Sequence, residues 1–145
     1  MPRMADIVRM EEIGGTTVAD VNTLLGQLSD DYKPVTESGL QTLFSNPNFE
    51  LWAAQDDQHL VGIASLITVN KLTGVSTRVE HVVVDEKYRG QGLGVKLMEK
   101  MIERSRAMGA KRIVLTSRPS REAANKLYQK MGFQLKETNS YYLDL

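Results

Sequence analysis

Apolar residues recur along this chain with two different periods. Val18, Val21, Leu24, Leu25 and Leu28 are spaced by three or four, which puts them on one side of a helix. Thr16 or Thr17 caps that helix, and Gly14 and Gly15 part it from a short strand over residues 5–10. A second short helix opens at Thr36 or Glu37 and carries Leu40, Leu43 and Phe44, until Ser-Asn-Pro-Asn ends it. Then the pattern turns to strands over residues 49–54, 60–69 and 78–84. Asp56 and Asp57 form the first turn and a loop at Gly74 the second, as in an antiparallel meander. Helical spacing returns at Leu93, Leu97, Met101 and Met108, with Met98, Ile102 and Ser105 beside them and Gly109 as the stop. A short strand follows over 112–116. A helix over 121–131 starts at Pro119 and Ser120 and ends at Gly132, and two strands over 133–137 and 141–145 close the chain.

The predicted order is β-α-α-β-β-β-α-β-α-β-β. The strand–helix–strand unit between residues 78 and 116 predicts a right-handed parallel crossover. The remaining strands should be antiparallel, giving a mixed α/β fold. At 145 residues, with 41% hydrophobic and 25% charged positions, the chain suits one domain with one core. Lys+Arg and Asp+Glu number 18 each, so no net charge points to nucleic acid or an anionic membrane. There is no cysteine and only His59 and His81 among histidines, which leaves no thiolate chemistry and predicts no metal site. No apolar run approaches the roughly 20 residues that span a bilayer. The start, MPRMADIVRM, lacks a signal peptide's apolar core, so a cytoplasmic protein is expected.

The chemistry concentrates in VVVDEKYRGQGLG, residues 82–94. A strand of valines ends at an acidic turn, and Arg89, Gly90, Gly92 and Gly94 lead into the long helix. A helix start offers unpaired N–H groups and the positive end of a dipole, and glycines in positive φ let a ligand reach the backbone. Together these form an anion site suited to phosphate, with Arg89 as a cation at its rim. The spacing is not G-x-x-x-x-G-K-[ST]. Nor is it G-x-G-x-x-G, since the last place falls on Val95, and no acidic residue closes the following strand.

The spacing that does fit is Arg-x-x-Gly-x-Gly over Arg89, Gly90, Gln91, Gly92, Leu93 and Gly94. With VEHVVVDEKY before it and AANKLYQKMGF after it, the chain resembles the GNAT superfamily of acyl-CoA-dependent N-acetyltransferases along nearly its whole length. The resemblance implies a mostly antiparallel sheet with a central, splayed parallel pair of strands flanked by helices, in a single domain over 1–145. It implies acetyl-CoA as acetyl donor, with its diphosphate on the amides of Gln91, Gly92, Leu93, Gly94 and Val95. The pantetheine arm would pair with the backbone of Val82, Val83 and Val84.

It also implies Tyr128 as the general acid for the departing thiolate. Glu80 is the candidate base, His81 the second, and water the third. Strand alternation groups Glu80 with Val82 and Val84, and His81 with Val79 and Val83, unless a bulge intervenes. In the family an asparagine seven residues before the tyrosine often meets the pantetheine. Arg121 stands there, so either Asn125 takes that task or Arg121 binds a CoA phosphate. Ser117 and Arg118 are candidates for lining the pocket, and the loop with Asp30, Asp31 and Tyr32 for walling the acceptor side. The acceptor expected is a small primary amine. A protein or peptide N-terminus stays open, as does an acyl-CoA sensor of the same fold without catalysis. Residues 141–145 offer a strand for a homodimer contact.

Overall fold

Five strands lie side by side in the order in which they occur in the chain. β1 (Asp6–Met10), β2 (Phe49–Asp56), β3 (His59–Lys71), β4 (Gly74–Val84) and β5 (Ile113–Val114) make one sheet in the order β1-β2-β3-β4-β5. The computed structural model describes residues 5–145. The chain divides into two compact units, Met1–Leu115 and Thr116–Leu145, and the whole sheet belongs to the first. Its first three pairings are antiparallel and the last, β4 with β5, is parallel. This is the mixed α/β class that the resemblance implies.

Two faces of the sheet are covered for the reason the spacing predicts. α1 (Thr17–Leu28) buries Val21, Leu24 and Leu25 against Leu51, Ala53, Leu60, Ile63 and Val83. The Thr36 side chain caps α2 (Glu37–Phe44) by accepting from the Gly39 N–H at 3.1 Å. α3 (Leu93–Ala107) lies on the other face, with Leu97, Met98 and Met101 fully buried. Removing such a side chain from water stabilises the fold by roughly 1.5–3 kcal/mol. Ser105 is the polar exception on this helix. It meets the buried Thr77 hydroxyl at 2.7 Å and donates to Met101 O at 2.7 Å, so neither hydroxyl is left unpaired.

A buried carboxylate ties the sheet to α3. Glu50 on β2 is 5% exposed. Arg104 grips it with two bonds of 2.9 and 2.8 Å, Trp52 Nε1 donates at 2.8 Å, and Arg9 stands 4.0 Å away. Burial pushes the carboxyl pKa up. The bonds from Arg104 and Trp52, with the charges of Arg104 and Arg9, outweigh it and hold the pKa below the ordinary value.

Element ends depart from the sequence pattern in several places. The β2–β3 turn sits at Asp57 and Gln58, with Asp57 at φ 57°. Gly74 opens β4 rather than lying in a loop, and the strand expected over 112–116 narrows to Ile113–Val114. The second unit holds α4 (Glu122–Lys130). The two closing strands expected over 133–137 and 141–145 are not formed, and these residues carry no regular structure. Leu135, Tyr141, Tyr142, Leu143 and Leu145 are each at least 83% exposed. Alternation makes a strand only where a neighbour takes its backbone groups and one face is buried. Neither condition holds there.

Candidate active site

The strand-to-helix turn at residues 85–92 is fixed by its own side chains. Asp85 Oδ1 accepts from the Lys87 N–H at 2.9 Å and so starts the 3-10 turn Glu86–Tyr88. The Tyr88 hydroxyl donates to Asp56 Oδ2 at 2.7 Å, which anchors the turn on β2. That bond, with burial and the Asp56 and Asp85 charges, raises the Tyr88 phenol. Gly90 and Gly92 both adopt φ 80°, and a Cβ on either would meet nothing within 4 Å. Glycine is therefore needed for the left-handed backbone, and the space in front stays open.

Gly92 is the residue before α3. No side chain caps the helix, and its first turn holds no acid. The N–H groups of Leu93, Gly94 and Val95 have no partner within the helix, and the helix's own first turn brings no acidic residue to its dipole. This donor set fits a diphosphate. Gly94 differs from the expectation for three permissive glycines: it lies within the first turn, and positive φ is confined to Gly90 and Gly92 in this stretch. The Leu93 side chain is buried with Ala5, Ala54 and Val61, so it anchors the helix start. Arg89 folds back, Nε donating to Val84 O at 3.1 Å.

β4 loses its parallel neighbour early. Among the described residues it pairs with β5 only at Thr77 and Arg78, and residues 79–84 have no strand partner on that side. This is the splay that frees a backbone edge for an extended ligand. A bulge also sits in this stretch, with His81 at φ 52° and exposed. It overturns the simple alternation. Glu80 pairs with Ser65 and Val83 with Ile63, so Glu80 and Val83 share a face, the one that α1 covers. Val79 pairs with Leu66 and Val84 with Gly62, so those two share the opposite face. Arg78 and Glu80, two residues apart, form an ion pair through Nε and Oε1. The Ser65 hydroxyl donates to Glu80 O at 2.8 Å.

Asn22 is a residue that sequence reading missed. Its side chain accepts from the Val35 N–H at 2.8 Å and donates to Val35 O at 3.1 Å, clasping the loop between α1 and α2. Tyr32 packs over Gly26, whose added Cβ would meet the ring at 3.3 Å. Tyr32 is thus a loop anchor, while Asp30 and Asp31 stay exposed. The only sequence signal was an amide on the same side of a helix as a small residue one turn on.

In the second unit α4 ends on a complete capping motif. Gly132, at φ 100°, donates to Gln129 O at 3.1 Å, and the Phe133 N–H donates to Tyr128 O at 2.9 Å. The Phe133 ring meets Tyr128 edge to face, centroids 6.0 Å apart. Tyr128 is 7% exposed. Burial raises its phenol, while the charge of Arg121 and a hydrogen bond from it pull the other way; the net direction is upward. Asn125 Nδ2 donates to Arg118 O at 2.9 Å and Arg121 O at 2.8 Å. Both its amide hydrogens therefore hold the loop before α4. The Ser117 hydroxyl is buried without a hydrogen-bond partner among the described residues.

The sequence model of the acetyltransferase (GNAT) family matches residues 21–133. The chain belongs to the GNAT family. A glucosamine 6-phosphate N-acetyltransferase of Trypanosoma brucei brucei is 36% identical over 91 residues, covering 61% of this chain and 60% of its own length. An N-alpha-acetyltransferase 30 of Schizosaccharomyces pombe is 28% identical over 99 residues, 68% of this chain and 66% of its own. The chain thus matches three-fifths to two-thirds of the length of these two relatives. Among solved structures, a Trypanosoma brucei acetyltransferase is 27% identical, with a TM-score of 0.77 over 97% of this chain and 99% of that one. The five-stranded sheet and its single parallel pairing are this GNAT chain's form of the family fold.

Proposed function

We propose that this GNAT chain acts as one domain and moves an acetyl group from acetyl-CoA to the primary amine of a small molecule. The observation that carries the reading is the glycine turn. Gly90 and Gly92 stand in left-handed conformation before open space, at a helix start with neither cap nor acid. The amides of Gln91–Val95 would hold the diphosphate, and the unpaired edge of β4 at Val82, Val83 and Val84 would take the pantetheine arm. Arg89 is already engaged with Val84 O, so it braces the turn and adds charge at the rim. Asn125 has spent its amide hydrogens, so its side-chain carbonyl is the group left for a pantetheine N–H.

When bound, the donor supplies an activated thioester, and orientation provides much of the acceleration. An alkyl ammonium, with a reference pKa of about 10.4, attacks only after losing a proton. Glu80 takes that proton, directly or through water, with His81 beside it on the bulge as the second candidate. Tyr128 gives its hydroxyl proton to the departing sulfur. Its raised phenol keeps that proton at neutral pH.

A small acceptor is supported by the likeness to the trypanosomal glucosamine 6-phosphate enzyme, at 36% identity. The second reading, a protein N-terminus, draws on the likeness to the fission-yeast N-alpha-acetyltransferase. A panel of amino-sugar phosphates, polyamines and short peptides, followed by free CoA thiol, tests both. Release of CoA with a small amine is expected. Release with peptides alone would transfer the proposal to the second reading, and CoA binding without release for any amine would make the chain a sensor.

A further inference from the structure

The sheet face that α1 covers carries charge beyond its apolar core. Ile63 and Val83, paired across β3 and β4, belong to the core under α1. The next pairs on that face are Ser65 with Glu80 and Ile67 with Arg78. Among the described residues Arg78 is also the last of β4 to pair with β5, so Glu80 follows the point where the two strands part. Arg78 Nε donates to Glu80 Oε1, and the two side chains form an ion pair. Ser65, 3% exposed, donates to Glu80 O at 2.8 Å and pins the backbone beneath the carboxylate.

The pair is partly open to solvent: the Arg78 side chain is 42% exposed and that of Glu80 29%. An ion pair so exposed adds little to stability. Arginine carries five N–H donors, and Nε is the one spent on Glu80. Among the described residues, nothing else bonds the two NH2 groups of Arg78 or Oε2 of Glu80. Free guanidinium donors and a free carboxylate oxygen therefore stand side by side. The first suit a carboxylate or phosphate, the second an ammonium. The two charges cancel, so a molecule that is only cationic loses at Arg78 what it gains at Glu80. A molecule carrying both signs gains at each.

We propose that Arg78 is an acceptor-binding residue that selects small amines also bearing a carboxylate or phosphate. Its NH2 groups grip the anion in a two-bond fork, while Glu80 Oε2 faces the nitrogen. The inference rests on the reading of Glu80 as the base, because that reading puts the acceptor nitrogen next to the guanidinium. The cation has a second effect there. Positive charge beside an ammonium favours its neutral form, so Arg78 eases the loss of the proton that Glu80 takes. A polyamine, or a peptide whose first residues are uncharged, offers no anion to the fork and is the poorer acceptor.

Matched acceptors test it: an amino-sugar phosphate against the same sugar without phosphate, and an α-amino acid against its carboxamide. Two readouts are taken on the full chain, calorimetric binding of each acceptor to the CoA complex and steady-state release of CoA thiol from acetyl-CoA. In the wild type the charged member of at least one pair should bind about tenfold or more tightly than its neutral partner. A ratio in one pair alone supports the inference and says which anion the site takes. Arg78→Gln should abolish the ratio and raise KM for the charged acceptor, with kcat changed less. Arg78→Lys keeps the charge without the fork and should retain part of the ratio. Equal binding within both pairs overturns the inference, as does a ratio that survives in Arg78→Gln; neither result touches the transferase reading. An Arg78-dependent ratio in binding, with no CoA released by any amine, would instead sink the transferase reading and leave the acceptor site standing. Wild-type turnover of the charged acceptor in Glu80→Gln would sink the role of Glu80 as base.

Discussion

A hydroxyl and a carboxylate carry the proposed chemistry, and each can be tested alone. Tyr128→Phe keeps the ring against Phe133 and deletes the proton donor. It should lower kcat by about a hundredfold or more, while KM for acetyl-CoA changes little; steady-state kinetics decide it. Glu80→Gln and His81→Gln should separate the base. Loss of the acidic limb of the pH–rate profile in the first variant, and its retention in the second, assigns Glu80. An intact limb in both assigns the proton to water. At this scale the sequence was a partial guide. Tyr128 stood out because a motif surrounds it. The facing of Glu80 hung on whether a bulge intervenes, and one left-handed residue, His81, adds a position to β4 and shifts the parity. Asn22 and Tyr32 left almost no trace, because a loop clasp depends on where the chain returns.

At the scale of the elements, glycines in left-handed conformation mark both the start of α3 and the end of α4. Gly92→Ala meets no steric obstacle, so its cost is conformational, about 1 kcal/mol. It should lower the urea midpoint modestly and weaken CoA binding more, because the amides it re-aims are the proposed diphosphate donors. Calorimetry with CoA beside a denaturation curve separates the two effects; unchanged affinity would count against the role given to the turn. These helix ends were legible because a helix stop or start is a local event. Strand ends were less so. β4 is longer than its apolar run and β5 shorter, because a strand's limits are set by its neighbours.

Over the whole molecule, the succession of the first five strands and four helices could be read from apolar spacing, while the last two strands could not. Their alternation is real, but exposed Leu135, Tyr141 and Leu143 have no buried face to join. Nor did the sequence reveal the buried charge at Glu50. Its folded pKa lies below the ordinary one, so its contribution to stability is full above the unfolded value and is lost as pH falls through the folded value. Acidification below about pH 4 should therefore lower the urea midpoint of the wild type. Glu50→Ala should cost about 3 kcal/mol near neutrality and flatten that acid dependence. An equally steep acid dependence in the variant would count against this account.

The most direct test of the central claim is the backbone amide NMR spectrum on titration with CoA. The account predicts that the largest shifts fall on Gln91, Gly92, Leu93, Gly94 and Val95. A saturable CoA complex that leaves those five amides unmoved would contradict it.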